Sequence, residues 1–307
     1  MEREAVKLIE IPQLVDSRDF GFEFKQMCQQ AQIEQKKFAL YRDDSTKNRY
    51  SDIVPFVHNR VLLSNGEYIN ASFMRNFDGS NLKRFIASQG PLKTTIGDHW
   101  DMIWTEGVTG AFVIGKLSDG NKEKIAPYWP TKVGESFKID GLRQIVVTLV
   151  HLHTTSFPDE GEALGRYLSY ELKLESIDGE KRELTLHHFE DWPDLGAISP
   201  RILAWISEEV RTIKSSAPVL VHCSAGVGRT GAVLAVVNSM EDVINQLVKE
   251  GKKMDEIEIS VFEKILKLRQ DRMESVERPL QYESVYRAIA EVVKVWTNRQ
   301  GDVWKHI

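Results

Sequence analysis

The spacing of apolar and polar positions changes twice along the chain. Over residues 1–40, Phe20, Phe24, Met27 and Cys28 recur at helical spacing, which puts them on one face of helices packed against the main body. From Tyr50 the pattern becomes short β-rich runs. Val61-Leu62-Leu63 and Tyr68-Ile69 flank Asn65-Gly66, a favoured hairpin turn. Further strands are expected at 84–88, 111–117, 144–153, 170–176 and 182–189, the last two joined about Asp178-Gly179. Helical spacing then returns. Ser199-Pro200 opens a helix to about Ile213, with serine as cap and proline where its missing N–H costs nothing. A buried strand over 217–222 follows, then the helix-compatible residues 232–237, then helices over roughly 255–271 and 281–297. Val261, Phe262, Ile265 and Leu266 face inward in the first of these two, and Val285, Tyr286, Ile289, Val293 and Trp296 in the second. The order implies an α/β or α+β fold, one domain with a central twisted mixed sheet flanked by helices.

Composition narrows the function. The 307 residues, 42% hydrophobic, suffice for a large core, and no Gly/Pro/Ser-rich linker divides them. A net charge of −5 argues against nucleic-acid or membrane partners, so any anion site has to be locally positive. Two cysteines, Cys28 and Cys223, in a chain of this size suggest a reducing compartment. The charged start Met1-Glu2-Arg3-Glu4 and the lack of a long apolar run fit a cytoplasmic location, or delivery into another cell.

The chemistry concentrates between the strand at 217–222 and the helix beyond it. Cys223-Ser224-Ala225-Gly226-Val227-Gly228-Arg229 is a small-residue loop at a strand-to-helix junction, where free backbone N–H groups and the helix dipole favour an anion. That positive end favours the thiolate of Cys223. The planar fork of Arg229 suits two phosphate oxygens, the amides of 224–229 cover the others, and Thr230 offers a hydroxyl near the sulfur. A merely structural cysteine would not call for the glycines and the arginine.

His222-Cys223-Ser224-Ala225-Gly226-Val227-Gly228-Arg229-Thr230-Gly231 resembles the signature loop of the phosphotyrosine-specific protein tyrosine phosphatases. Lys47-Asn48-Arg49-Tyr50 resembles their phosphotyrosine-recognition loop and Asp191-Trp192-Pro193-Asp194 their mobile acid loop. Tyr68-Ile69-Asn70-Ala71-Ser72, Ala87-Ser88-Gln89-Gly90-Pro91-Leu92 and Tyr128-Trp129-Pro130 look like further landmarks in family order, over about 40–295. The resemblance implies an N-terminal helical segment at 1–40, a catalytic domain at 41–297 and a tail at 298–307. It implies hydrolysis of phosphotyrosine through a cysteinyl phosphate, with Cys223 as nucleophile, Arg229 as phosphate clamp and Asp194 as general acid and then base. Ser224, Ala225, Gly226, Val227 and Gly228 would cradle the phosphate and Tyr50 would stack on the ring. Asp52 would hold the substrate backbone, and Lys124 would reach toward the acid loop. The expected partners are phosphotyrosine proteins, the expected state is monomeric, and neither cofactor nor metal is implied. His151/His153 and His187/His188 fit strand positions better than a zinc site.

Three departures open alternatives. Glu277 stands where the family usually has a glutamine that positions the hydrolytic water, with Gln281 at a second glutamine position. Asp119 stands where a glutamate commonly braces the signature arginine, and Leu195 replaces the usual aromatic after the acid-loop aspartate. Glu277 raises the alternative of a slow-turnover phosphotyrosine-binding module. Activity on phosphoserine or phosphoinositides ranks below both.

Overall fold

Turn residues and β-rich runs build the expected hairpins, and the apolar runs without alternation become the sheet's centre. The computed structural model describes residues 5–41, 46–75, 83–155, 166–192 and 196–298. In chain order come β1 (Val6–Lys7), α1 (Ile11–Leu14), α2 (Phe20–Gln35), β2 (Arg60–Leu62), β3 (Tyr68–Arg75), β4 (Lys83–Ser88), α3 (Ile96–Thr105) and β5 (Gly110–Ile114). There follow β6 (Ser118–Asp119), β7 (Lys122–Glu123), β8 (Ser136–Ile139), β9 (Ile145–Thr155), β10 (Tyr167–Ser176) and β11 (Lys181–Phe189). The last third holds α4 (Pro200–Thr212), β12 (Val219–His222), α5 (Gly228–Val248), β13 (Glu258–Ile259), α6 (Val261–Asp271) and α7 (Pro279–Asn298).

Nine strands form one mixed sheet in the order β2-β3-β4-β12-β5-β11-β10-β9-β8. Its middle, β4-β12-β5-β11, is parallel and its flanks are antiparallel. Every residue of β5 and β12 is buried, as expected of strands covered on both faces. Alternate residues of β12 serve two cores. Val219 and Val221 join the helices' core with Val236, Ile265 and Ile289, whereas Leu220 joins Trp100, Trp104 and Trp129 on the other face. The loop after β12 therefore sits at the carboxyl end of the parallel strands, where open α/β sheets place their ligands.

Several elements differ from expectation. Helix α3 and strand β8 were not expected. Gly97, His99, Trp100 and Trp104 give α3 weak intrinsic propensity, and tertiary packing of its buried residues holds it as a helix. The helix expected from 255 begins at Val261, because Glu258–Ile259 pair instead with Val6–Lys7. Ser260 caps it, accepting from the N–H of Glu263 at 3.3 Å. Ser199 precedes Pro200 as foreseen but makes no capping hydrogen bond. No described helix is long and apolar enough to cross a membrane.

Candidate active site

Between the end of β12 and the start of α5 the chain reverses direction within Cys223–Val227. Gly226 permits this, with φ at +71° and space so tight that a Cβ would lie 1.9 Å from the carbonyl oxygen of Ser88. Its N–H lies 3.2 Å from Cys223 Sγ. Behind the loop stands Arg272, fully buried, donating from Nε to the Gly226 carbonyl at 2.8 Å and from Nη2 to the Ala225 carbonyl at 2.9 Å. In a trans peptide C=O and N–H point opposite ways, so tying those carbonyls outward turns the Gly226 and Val227 N–H groups inward. Burial pushes the pKa of Arg272 down to about 10, which leaves it cationic at neutral pH. Its charge adds to the dipole of α5, whose first turn begins at Gly228.

Arg229 is 5% exposed and donates from Nη1 to the Ile114 carbonyl at 3.3 Å. Gly115 makes room for it, since a Cβ there would stand 1.9 Å from Nη1. Cys223, Ser224, Ala225, Val227, Gly228 and Arg229 line a cleft of about 280 Å³ together with Tyr50, Asp52, Lys122, Lys124, Glu277, Arg278 and Gln281. Thr230 is buried in the first turn of α5 but does not line the cleft, and its hydroxyl has no hydrogen-bond partner among the described residues.

The Tyr50 wall is fixed by hydrogen bonds. The Tyr50 hydroxyl donates to Ser224 Oγ at 2.9 Å, and Ser224 Oγ donates to the Lys124 carbonyl at 2.9 Å. Next to it, Arg49 donates to the carbonyls of Gly90 at 3.1 Å, Pro91 at 2.6 Å and Glu123 at 3.0 Å, while Gln89 accepts from the Arg49 N–H at 2.8 Å. Gly90 in turn donates its N–H to the Ser224 carbonyl at 2.9 Å. The stretch 87–92 is thus a bracket between the tyrosine wall and the phosphate loop. Below it His222 donates from Nδ1 to the Cys223 carbonyl at 3.1 Å, so its Nε2 accepts from the Tyr128 hydroxyl at 2.8 Å. Burial pushes its pKa down to about 4 and keeps the ring neutral.

A family model, protein-tyrosine phosphatase, matches residues 44–291. The chain belongs to that family. Among curated relatives, the chain is 34% identical over 264 residues to receptor-type tyrosine-protein phosphatase C of Rattus norvegicus, covering 83% of this chain and 19% of that protein. It is 35% identical over 261 residues to tyrosine-protein phosphatase non-receptor type 12 of Homo sapiens, covering 80% and 30%. It thus spans about a fifth of the receptor-type relative's length. Among solved structures, the catalytic domain of human protein tyrosine phosphatase non-receptor type 18 superposes with a TM-score of 0.76 at 27% identity, covering 92% of this chain and 99% of that one. A complex of PTPN18 with phosphopeptides gives 0.77 at 25% identity, covering 94% and 100%.

Set in the phosphatase family, the remaining site residues fall as follows. Pro193, Asp194 and Leu195 lie outside the described residues. On their near side Trp192 is buried, and its indole N–H donates to the Gly196 carbonyl at 3.1 Å, spanning that stretch. Asp119 is exposed on β6. Glu277 does not turn away from the loop. Its Oε2 lies 3.1 Å, and the Gln281 amide 2.9 Å, from where a Cβ on Gly228 would sit. His151 and His153 lie on β9 and both reach Glu171 at 2.9 Å on β10, and His187 and His188 lie on β11. Reading the sequence missed Arg272 and Gly115. Gly115, just beyond an apolar strand run, carried a signal; Arg272 carried none, because a lone arginine in a charged stretch reads as solvated.

Proposed function

We propose that this phosphatase-family chain hydrolyses phosphotyrosine in proteins, with 41–297 as its catalytic domain. Cys223 attacks phosphorus while Asp194 protonates the leaving phenolic oxygen. Arg229 and the inward amides stabilise the equatorial oxygens as charge develops on them. Tyr50 stacks on the ring, Asp52 holds the peptide backbone and Lys124 reaches toward the acid loop. The observation that carries this reading is Cys223, whose Sγ accepts the Gly226 N–H at 3.2 Å, lining one cleft with Arg229 and Tyr50. The phosphopeptides bound by PTPN18 support phosphoprotein substrates. A binding module without turnover is not favoured, because the relatives are named as phosphatases. The net charge of −5 speaks against nucleic-acid and anionic membrane partners, and the two cysteines, Cys28 and Cys223, both free, support a reducing compartment such as the cytoplasm. The test is turnover of a phosphotyrosine peptide. Wild type should release inorganic phosphate through many cycles and Cys223→Ser none; an inactive wild type would overturn the reading.

A further inference from the structure

We infer that Lys122 and Arg278 select phosphotyrosines flanked by acidic residues, each cation meeting a substrate carboxylate at the rim of the cleft. The inference rests on the tyrosine phosphatase reading and narrows its substrates. Charge makes the first step. The chain as a whole carries −5, yet Lys122, Lys124, Arg229 and Arg278 line the cleft against the carboxylates of Asp52 and Glu277. The phosphoryl group is already provided for by Arg229, the loop amides and the dipole of α5, with Arg272 behind them. Cations further out are left for the rest of the substrate. Neighbouring basic side chains are committed within the protein. Arg49 donates to three carbonyls, Lys47 pairs with Asp98 at 3.0 Å and Lys93 lies 3.7 Å from Glu123.

Lys122 and Arg278 differ in having fixed stems and uncommitted charges. Lys122 stands exposed on β7, opposite Asp119 in the β6–β7 hairpin, and makes no ion pair with the described residues. The hairpin itself is held. The N–H groups of Lys124 and Ile125 both donate to the Leu117 carbonyl, at 2.8 and 3.0 Å, and Arg49 grips the Glu123 carbonyl at 3.0 Å. Arg278 directly precedes Pro279, the first residue of α7. Its N–H donates to Gln281 Oε1 at 3.2 Å and its carbonyl accepts from the N–H of Tyr282 at 3.0 Å, so the side chain leaves the rim from a set point. Among the described residues its half-exposed guanidinium makes one ion pair, to Glu277 at 3.8 Å, which is too long for a hydrogen bond. The planar fork is therefore open to a carboxylate, which it can bind with two parallel N–H donors. A residue next to the phosphotyrosine passes this rim, and aspartate or glutamate there supplies the partner that each cation lacks. Exposed pairs of this kind contribute about threefold each in affinity.

A double-mutant cycle between enzyme and peptide tests this. The probes are two phosphotyrosine peptides of equal length, with aspartate on both sides of the phosphotyrosine or with asparagine there. Wild type should favour the aspartate peptide about tenfold in kcat/KM, mostly through KM, and the preference should shrink as salt screens the rim. Lys122→Gln and Arg278→Gln should each cut that ratio about threefold, and the double variant should bring it close to one. Each ratio is internal to one preparation, so a loss of stability or of catalytic power common to both peptides leaves it unchanged. A wild type without the preference, or a double variant that keeps it, would overturn the inference, as would faster turnover of a short-chain phosphoinositide than of either peptide. A wild type that hydrolyses neither peptide would overturn the phosphatase reading as well.

Discussion

The two sides of the cleft are held in different ways. The phosphate side, Cys223–Arg229, is pinned from behind by Arg272, Ile114 and Ser88, almost all of it buried. The opposite side, Glu277–Gln281, is shaped by its own backbone, with Gln281 buried and accepting from the Glu277 and Arg278 N–H groups and Glu277 one-third exposed. An anion held through the transition state needs donors that do not reorganise, whereas a rim side chain can move without disturbing them. Rigidity is placed where charge develops, and latitude at the exposed carboxylate of the rim.

Two glycines put that contrast to its strongest test. At Gly226 an added Cβ meets the Ser88 carbonyl at 1.9 Å, a backbone atom, and φ is already +71°. Gly226→Ala should cost about 3 kcal/mol of stability and at least ~100-fold in kcat, because the loop amides have to move with the backbone. At Gly228 the neighbours are side-chain ends and not backbone, Glu277 at 3.1 Å, which can swing outward, and Gln281 at 2.9 Å, which has to give by a few tenths of an ångström. Gly228→Ala should therefore stay within ~tenfold of wild type in kcat, by the cost of a modest side-chain rearrangement. Denaturant unfolding and steady-state kinetics on both variants decide the matter. Equal losses would mean that the two sides are alike in stiffness.

The same difference governs what the sequence disclosed. The phosphate side was legible because its constraints are local, with glycines, a cysteine and an arginine at fixed spacing between a strand and a helix. Tyr50 was legible through its neighbours in order. Arg272, 46 residues from the Gly226 carbonyl it binds, was not, because a buried guanidinium looks like any surface arginine until the chain folds. The opposite side was half legible. Glu277 could be seen as unusual, but whether it faced the loop depended on Val276 holding a positive φ, which no local pattern announces for a β-branched residue. In the scaffold, the hairpins and C-terminal helices followed from periodicity, whereas α3 depended on packing around buried tryptophans.

The buried phosphate side also carries an acid limit. Burial pushes His222 and His187 down to about 4 and His99 well below its ordinary value. Each is protonated near pH 6.5 when unfolded, so the unfolded chain binds more protons between about pH 6.5 and 4. Stability is thus complete above that range and falls as pH drops through it, by about 1.4 kcal/mol per pH unit for each histidine. For His222 alone the loss between pH 7.5 and 5 comes to about 2 kcal/mol. Urea unfolding at these two values should show the decline, and His222→Gln should show it reduced by that amount. A variant whose stability falls with pH as steeply as the wild type would mean that His222 is not held neutral.

The smallest expected effect concerns the joint between loop and wall. Ser224 Oγ is the atom through which the phosphate loop reaches both Tyr50 and the Lys124 carbonyl, each at 2.9 Å. Ser224→Ala removes both bonds but leaves the backbone amides, Arg272 and Arg229 in place. A hydrogen bond of this kind contributes about 1 kcal/mol net, so kcat/KM for a phosphotyrosine peptide should fall about fivefold. The loss should sit mainly in KM, because what loosens is the wall that packs on the ring and not the donors that meet the transition state. A loss confined to kcat would place Ser224 with the rigid side of the cleft and redraw the boundary between the two.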